Sequence, residues 1–180
     1  LLSAKPSSPK VKKTAKTFTV DIVGENLSNV GAFQVTLTFD SDVIKATSIV
    51  KTDFLGSTDR EVACPDPTIT TQSVSLLCVT TGGTADGVSG NGVLAIVTFE
   101  TVAEGTSSLT LTVANLSNPQ GGEITLSTAD GQVKITGDDS PLFWILGGIA
   151  AGVAALVAVA AVALRRRRRP SSGTLLDADG

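Results

Sequence analysis

Residues 33–39 read Phe-Gln-Val-Thr-Leu-Thr-Phe, with apolar side chains at Phe33, Val35, Leu37 and Phe39 and polar ones at Gln34, Thr36 and Thr38. In an extended chain successive side chains point to opposite faces, so this strict period of two predicts a strand with one face in a core and one in water. It is the clearest strand in the chain. Upstream, Phe18, Val20 and Ile22 alternate with Thr17, Thr19 and Asp21 in the same way, and residues 24–29 then supply a turn. Downstream, Val43, Ile44, Ile49 and Val50 predict a short strand before a loop over 51–60, and further strands are expected over 73–80, 92–101, 107–115, 123–128 and 132–136. Clusters rich in Gly, Asn, Asp and Thr separate them, at 81–91, 104–105, 118–122 and 129–131. Roughly eight short strands at this spacing, with no amphipathic helix among them, define an all-β fold, an antiparallel β-sandwich. About 120 residues suffice for one domain with a single core.

The flanks differ in kind. Residues 1–16 carry Lys5, Lys10, Lys12, Lys13 and Lys16 with no acid and no apolar periodicity, which reads as a flexible basic leader. At the other end, residues 142–164 form an uninterrupted apolar run that is followed by Arg165, Arg166, Arg167, Arg168 and Arg169. As a helix, such a run extends about 34 Å, against a hydrocarbon core of about 30 Å. Five arginines are costly to carry through a bilayer and act as a stop-transfer signal on the cytoplasmic side. The expectation is a single-pass transmembrane α-helix in a lipid bilayer, with Phe143 and Trp144 at its outer interface. The N-terminal domain is then extracellular or periplasmic, 138–141 is a junction, and 165–180 is a cytoplasmic tail. The chain contains no Met, so a removed signal peptide or a fragment is expected. No sortase-type or Pro-Glu-Pro sorting motif precedes the run, so retention of the helix is expected. Within it, Gly148 and Gly152, flanked by Ala151 and Ala155, form a small-residue stripe of the kind that lets helices pack closely in lipid.

Charge is segregated along the chain. Residues 17–140 hold 4 basic and 15 acidic residues, a balance that disfavours nucleic acid and anionic lipid headgroups as partners of the domain. The two cysteines, Cys64 and Cys78, are expected to form a disulfide tying the arms of a long hairpin, as an even count in an oxidising compartment favours. With no His and no third thiolate, no metal site of the zinc type is expected, and no cofactor is implied. The absence of His, and acids that fall in turns such as Asp40-Ser41-Asp42, argue against an enzyme. Oxygen ligands in the loop 85–91 match no EF-hand spacing. Carbohydrate binding commonly uses exposed aromatic faces. The domain offers only Phe18, Phe33, Phe39, Phe54 and Phe99, four of them at core-facing strand positions, so a polysaccharide partner is a minor alternative.

The segment VGAFQVTLTFDSDVI (30–44) and the later GNGVLAIVTFETVAEGTSSLTL (90–111) resemble the cohesin family of bacterial surface modules. The resemblance lies in an aromatic-Asp turn, Phe39-Asp40-Ser41, followed by Val43-Ile44; in a glycine-led strand, Gly92-Val93-Leu94-Ala95; in the Gly105-Thr106 step; and in a closing strand at Gly131 to Ile135. It covers residues 17–137. It implies a jelly-roll sandwich of about nine strands whose best-known members bind dockerin modules through one sheet face. Where that family carries an Asn and an Asp on the contacting strand, this chain has Ala32 and Gln34. The fold thus carries over while the polar pair does not, and Ala32, Gln34 and Thr36 become the candidate partner-binding strand. The expected function is non-catalytic protein–protein interaction, scaffolding or docking at the outer face of a bacterial membrane. The competing reading is an accessory subunit of a membrane complex, packed through its helix.

Overall fold

The computed structural model describes residues 1–83 and 86–137. Thirteen strands lie among the described residues: β1 (Leu2–Pro6), β2 (Lys10–Lys12), β3 (Thr17–Val30), β4 (Ala32–Thr38), β5 (Ile44–Lys51), β6 (Glu61–Ala63), β7 (Thr68–Ile69), β8 (Ser73–Thr81), β9 (Val88–Thr101), β10 (Gly105–Ser117), β11 (Glu123–Ile124), β12 (Thr128–Ala129) and β13 (Gly131–Thr136). One sheet has the order β12-β1-β3-β9-β5. The other runs β2-β13-β10-β4-β8-β6, with β11 added beside β10 and β7 beside β8. The two sheets form a jelly-roll sandwich, the architecture that the resemblance implies.

The core forms where the inward faces meet. Along β4, Phe33, Val35 and Leu37 are buried, whereas Gln34 is exposed. Phe99 on β9 is fully buried, stacked on Phe18 with ring centroids 5.5 Å apart and meeting the edge of Phe39 at 5.0 Å. Such offset and edge-on pairs match the ring quadrupoles and add to area burial. Four of the five phenylalanines of this unit are thereby core residues. The fifth, Phe54, is half-buried and lies against Gly92, where an added Cβ would fall 2.1 Å from its ring.

Three expectations are corrected. Residues 1–16 are not a flexible leader. Leu2 and Ala4 are buried from β1, which pairs antiparallel with β3 and parallel with β12, and Val11 is buried from β2, which pairs parallel with β13. Isolated apolar residues between lysines and prolines show no local period, yet Leu2, Ala4 and Val11 find places in the core once distant strands supply the ladder. The compact unit accordingly begins at Leu1. Secondly, residues 24–29 do not turn the chain. β3 continues through them as an irregular strand, with register shifts at 24/27 and 27/30 and positive φ at Asn26 (52°) and Asn29 (54°). Asn tolerates the left-handed region, so the residues that signal a turn make bulges instead. Their distortion is held by side-chain bonds: the Asn26 N–H donates to Asn91 Oδ1 (2.6 Å), the Asn29 N–H to Ser89 Oγ (2.9 Å), and the Gly87 N–H to Asn29 Oδ1 (2.6 Å). The oxygens of Asn29 and Asn91 thus hold backbone N–H groups. Thirdly, the segment 123–128 is strand only at its two ends, as β11 and the start of β12.

The disulfide expectation holds. Cys64 follows β6 and faces Cys78 on β8 with a Cα–Cα distance of 4.3 Å, and the two are bonded. Among the described residues no helix is long and apolar enough to cross a membrane. The apolar run 142–164, with Gly148, Ala151, Gly152 and Ala155, and the arginines 165–169 lie outside the described residues.

Candidate functional site

Strand β4 sits in the middle of its sheet, so the three positions singled out from the sequence occupy the centre of an outer face. The register places Gln34 between Asn115 of β10 and Leu77 of β8, Ala32 between Ser117 and Val79, and Thr36 between Val113 and Ser75. Above Ala32 and Gln34 lies a groove of about 470 Å³, lined also by Leu77, Val79, Asn115, Ser117 and Glu123. One wall is the β10–β11 hairpin. There Asn118 Oδ1 accepts from the N–H groups of Gln120 and Gly122, fixing the tight turn that brings Glu123 opposite Ser117.

The chemistry of the face is graded. Towards Thr38 it is a sheet of hydroxyls engaged with one another and with backbone. Thr36 and Ser75 share a hydrogen bond of 2.9 Å, the Ser75 hydroxyl also donates to the Val35 carbonyl (3.1 Å), and Thr38 donates to the Thr110 carbonyl (3.3 Å). Thr36, nominated with Ala32 and Gln34, thus belongs to the hydroxyl part and does not line the groove. Towards Ala32 the face becomes apolar. Leu77 is 41 % exposed, a large side chain with no core to enter. The groove offers an apolar floor (Ala32, Leu77, Val79), amide and hydroxyl groups (Gln34, Asn115, Ser117) and one carboxylate (Glu123), with no cation in its lining. It can hold an apolar side chain flanked by hydrogen-bond donors or by a positive charge. Nothing in it resembles an acid–base pair or a nucleophile with its base. Among the described residues no group of three metal-ligating side chains converges.

Sequence reasoning located β4 but missed Leu77, Val79, Asn115 and Glu123. Leu77 was legible: Val74, Leu76 and Cys78 take the inward positions of β8, so the second leucine of the Leu76-Leu77 pair must face water. Asn115 and Glu123 were not, since their approach to Gln34 depends on a strand some eighty residues later in the chain.

Fold and face together define a two-sheet jelly-roll with a graded apolar-to-hydroxyl outer surface on one sheet. No family model matches the sequence, and no curated protein matches it by sequence. Solved structures do share the fold, and cohesin modules are among them. A non-cellulosomal cohesin from the archaeon Archaeoglobus fulgidus aligns with a TM-score of 0.60 at 17% identity, over 75% of this chain and 89% of that one. The second type II cohesin module of the adaptor scaffoldin ScaA of Acetivibrio cellulolyticus gives 0.62 at 14% identity, over 78% and 90%. A chain in a type I cohesin–dockerin complex from Clostridium thermocellum gives 0.61 at 16% identity, over 77% and 95%. The described unit therefore has the cohesin fold. At these identities the likeness concerns the fold alone.

Proposed function

We propose that this chain is a non-catalytic docking module, held on the outer face of a bacterial membrane by residues 142–164, which presents the β10-β4-β8 face to a protein partner of dockerin type. The observation that carries this reading is the groove over Ala32 and Gln34. An exposed Leu77 beside Val79, on an otherwise hydroxylated sheet, is the small apolar anchor site around which protein interfaces concentrate their binding energy. The cohesin fold supports the reading, because solved proteins of that fold include cohesin–dockerin complexes. With Ala32 and Gln34 in place of a polar Asn–Asp pair, the partner suited to this face contributes an apolar side chain to the floor and a donor or cation towards Glu123.

The test is co-purification of the full chain from native membranes in mild detergent, with identification of the accompanying chains. Leu77→Asp should remove a specific companion that Lys51→Glu, on the other sheet, leaves bound. A companion that survives Leu77→Asp but is lost when residues 142–164 are replaced by a poly-Leu span would sink the docking reading. It would favour the accessory-subunit reading through Gly148, Gly152, Ala151 and Ala155. A polysaccharide partner has little support: the rings of Phe18, Phe33, Phe39 and Phe99 are buried and Phe54 is turned onto Gly92.

A further inference from the structure

Three of the four sheet edges end in very short strands: β12 has two residues, β2 and β6 three each. The fourth edge strand, β5, has eight. Among the described residues no strand pairs with its outer side. Such an edge is a row of unpaired N–H and C=O groups, which folded proteins usually shorten or cover. Which groups stand free follows from the ladder to β9. The Thr52 N–H donates to the Leu94 carbonyl (3.1 Å), so by alternation Val50 and Ser48, opposite Ile96 and Thr98, also bond towards β9. The backbone groups of Ile49 and Lys51 then point away from the sheet. Past the irregularity at 46/48, the Thr101 N–H turns to the Lys16 carbonyl, away from β5. Glu100 therefore bonds Lys45, and Ala46 points its backbone groups outward. Ile44 gives its N–H to the Asp40 carbonyl (3.0 Å) but keeps its own carbonyl on the free side. The surroundings are apolar: Val50 is 54 % exposed on β5, and exposed Ile69 and Val102 line a cleft of about 600 Å³ beside Lys45 and Ala46.

From these observations we infer that β5 pairs with β5 of a second copy of this chain, antiparallel about a two-fold axis, with Ile44 opposite Lys51 and Ala46 opposite Ile49. This register satisfies backbone and side chains together. Ala46 and Ile49, both with free backbone groups, exchange two hydrogen bonds, and the Lys51 N–H donates to the Ile44 carbonyl. Symmetry makes each contact twice. Buried Ala46 and Ile49 meet on the core side, and exposed Lys45 and Val50 meet on the solvent side, where the lysine methylenes cover the valine. A shift by one residue sets buried side chains against exposed ones, and in one direction brings Lys45 against Lys51. Lysines commonly guard a free edge, yet in this register neither faces a like charge. Lys45 stands beside Glu100 in its own sheet, and Lys51 lies diagonal to Asp42 of the other copy, within reach of a long side chain. With Asp53, which follows Lys51, the edge carries both signs of charge. The pairing is independent of the docking reading, since the β10-β4-β8 face belongs to the other sheet.

The experiment oxidises the full chain in detergent after Lys45→Cys and Val50→Cys, both at exposed positions. Across the two-fold these positions form a non-hydrogen-bonded pair with Cα atoms about 4.5 Å apart, within disulfide range. Inside one copy they are about 15 Å apart and cannot bond. The double variant should form a covalent dimer linked between positions 45 and 50, in about tenfold or greater yield than either single substitution. Adding Lys51→Pro, which deletes an edge donor that strand edges can spare, should cut the yield about fivefold. Equal yields from single and double variants, links at other positions, or a double variant that stays monomeric while melting like the parent would overturn the inference. Should the new thiols exchange with Cys64–Cys78, amide hydrogen exchange of the unaltered chain decides. The Ala46, Ile49 and Lys51 amides should slow about tenfold between about 1 and about 100 μM chain, and exchange independent of concentration ends the proposal.

Discussion

Val11 and Ile135 sit side by side in a parallel strand pair, both buried, although 124 positions separate them in the chain. Through that pair and through β1, which lies between β3 and β12, the first sixteen residues close the sandwich along one side. Deleting residues 1–16 should therefore abolish cooperative unfolding, where removal of a linker would leave it intact. Leu2→Ala, at a fully buried position, should cost about 2–5 kcal/mol. Circular dichroism melts of both variants check this, and a deletion variant with an unchanged transition would refute the role of β1 and β2.

The Cys64–Cys78 bond closes a loop across neighbouring strands with a sequence separation of 14. Chain-entropy reasoning puts its contribution at about 3 kcal/mol. Reduction, or the pair Cys64→Ser with Cys78→Ala, should lower Tm by roughly 10 °C for a domain of this size. Melting scans with and without a phosphine reductant measure it.

The adjacent leucines of β8 should respond oppositely. Leu76 is buried and Leu77 is half in water, so Leu76→Ala should cost about 2–5 kcal/mol and Leu77→Ala no more than about 0.5. Partner affinity should move the other way, weakened about tenfold or more by Leu77→Ala. Urea unfolding midpoints and a titration with the identified partner read the two effects. Equal destabilisation by both changes would mean the register of β8 is misassigned.

Lys5 on β1 reaches Glu25 on β3 and forms an ion pair with it. The hydrogen bond from Lys5, and then its charge, hold the Glu25 carboxyl below its ordinary 4.5. A carboxyl depressed in the folded state stabilises that state above its unfolded value, and the benefit disappears as pH falls through the folded value. Lys5→Gln should thus be slightly less stable than the parent at pH 7, with the difference closing below pH 4.5. The pair is solvent-exposed and screened, so the effect is small and should shrink in salt. Urea midpoints of both proteins across that pH range test it, and a difference that widens in acid would contradict the pairing.

Period-two alternation is a local property, and it carried far. Residues 17–22, 73–80 and 92–101 fall within strands β3, β8 and β9, 33–38 fall within β4 with Phe39 just past its end, and the outward-facing Ala32 and Gln34 line the groove. The inward Phe18, Phe33, Phe39 and Phe99, and the cysteine pair, were legible for the same reason. Each depends on a side chain's own neighbours along one strand, or on simple redox chemistry. The tertiary structure alone decided where β1, β2, β11 and β12 belong. Strands of two to five residues carry too little pattern to announce themselves and are held by hydrogen-bonding partners far along the chain, as the Leu2 N–H is by the Ser127 carbonyl (2.8 Å). The structure also turned an apparent glycine–asparagine turn into two bulges, because Asn91, Ser89 and Gly87 were in reach to bond them. Asn115 and Glu123 came to the groove by the folding back of β10 and β11. Parallel pairing likewise set Lys10 of β2 opposite Lys134 of β13 and Lys12 opposite Thr136. No window of sequence contains those encounters, since each joins residues whose proximity is made by the sheet between them.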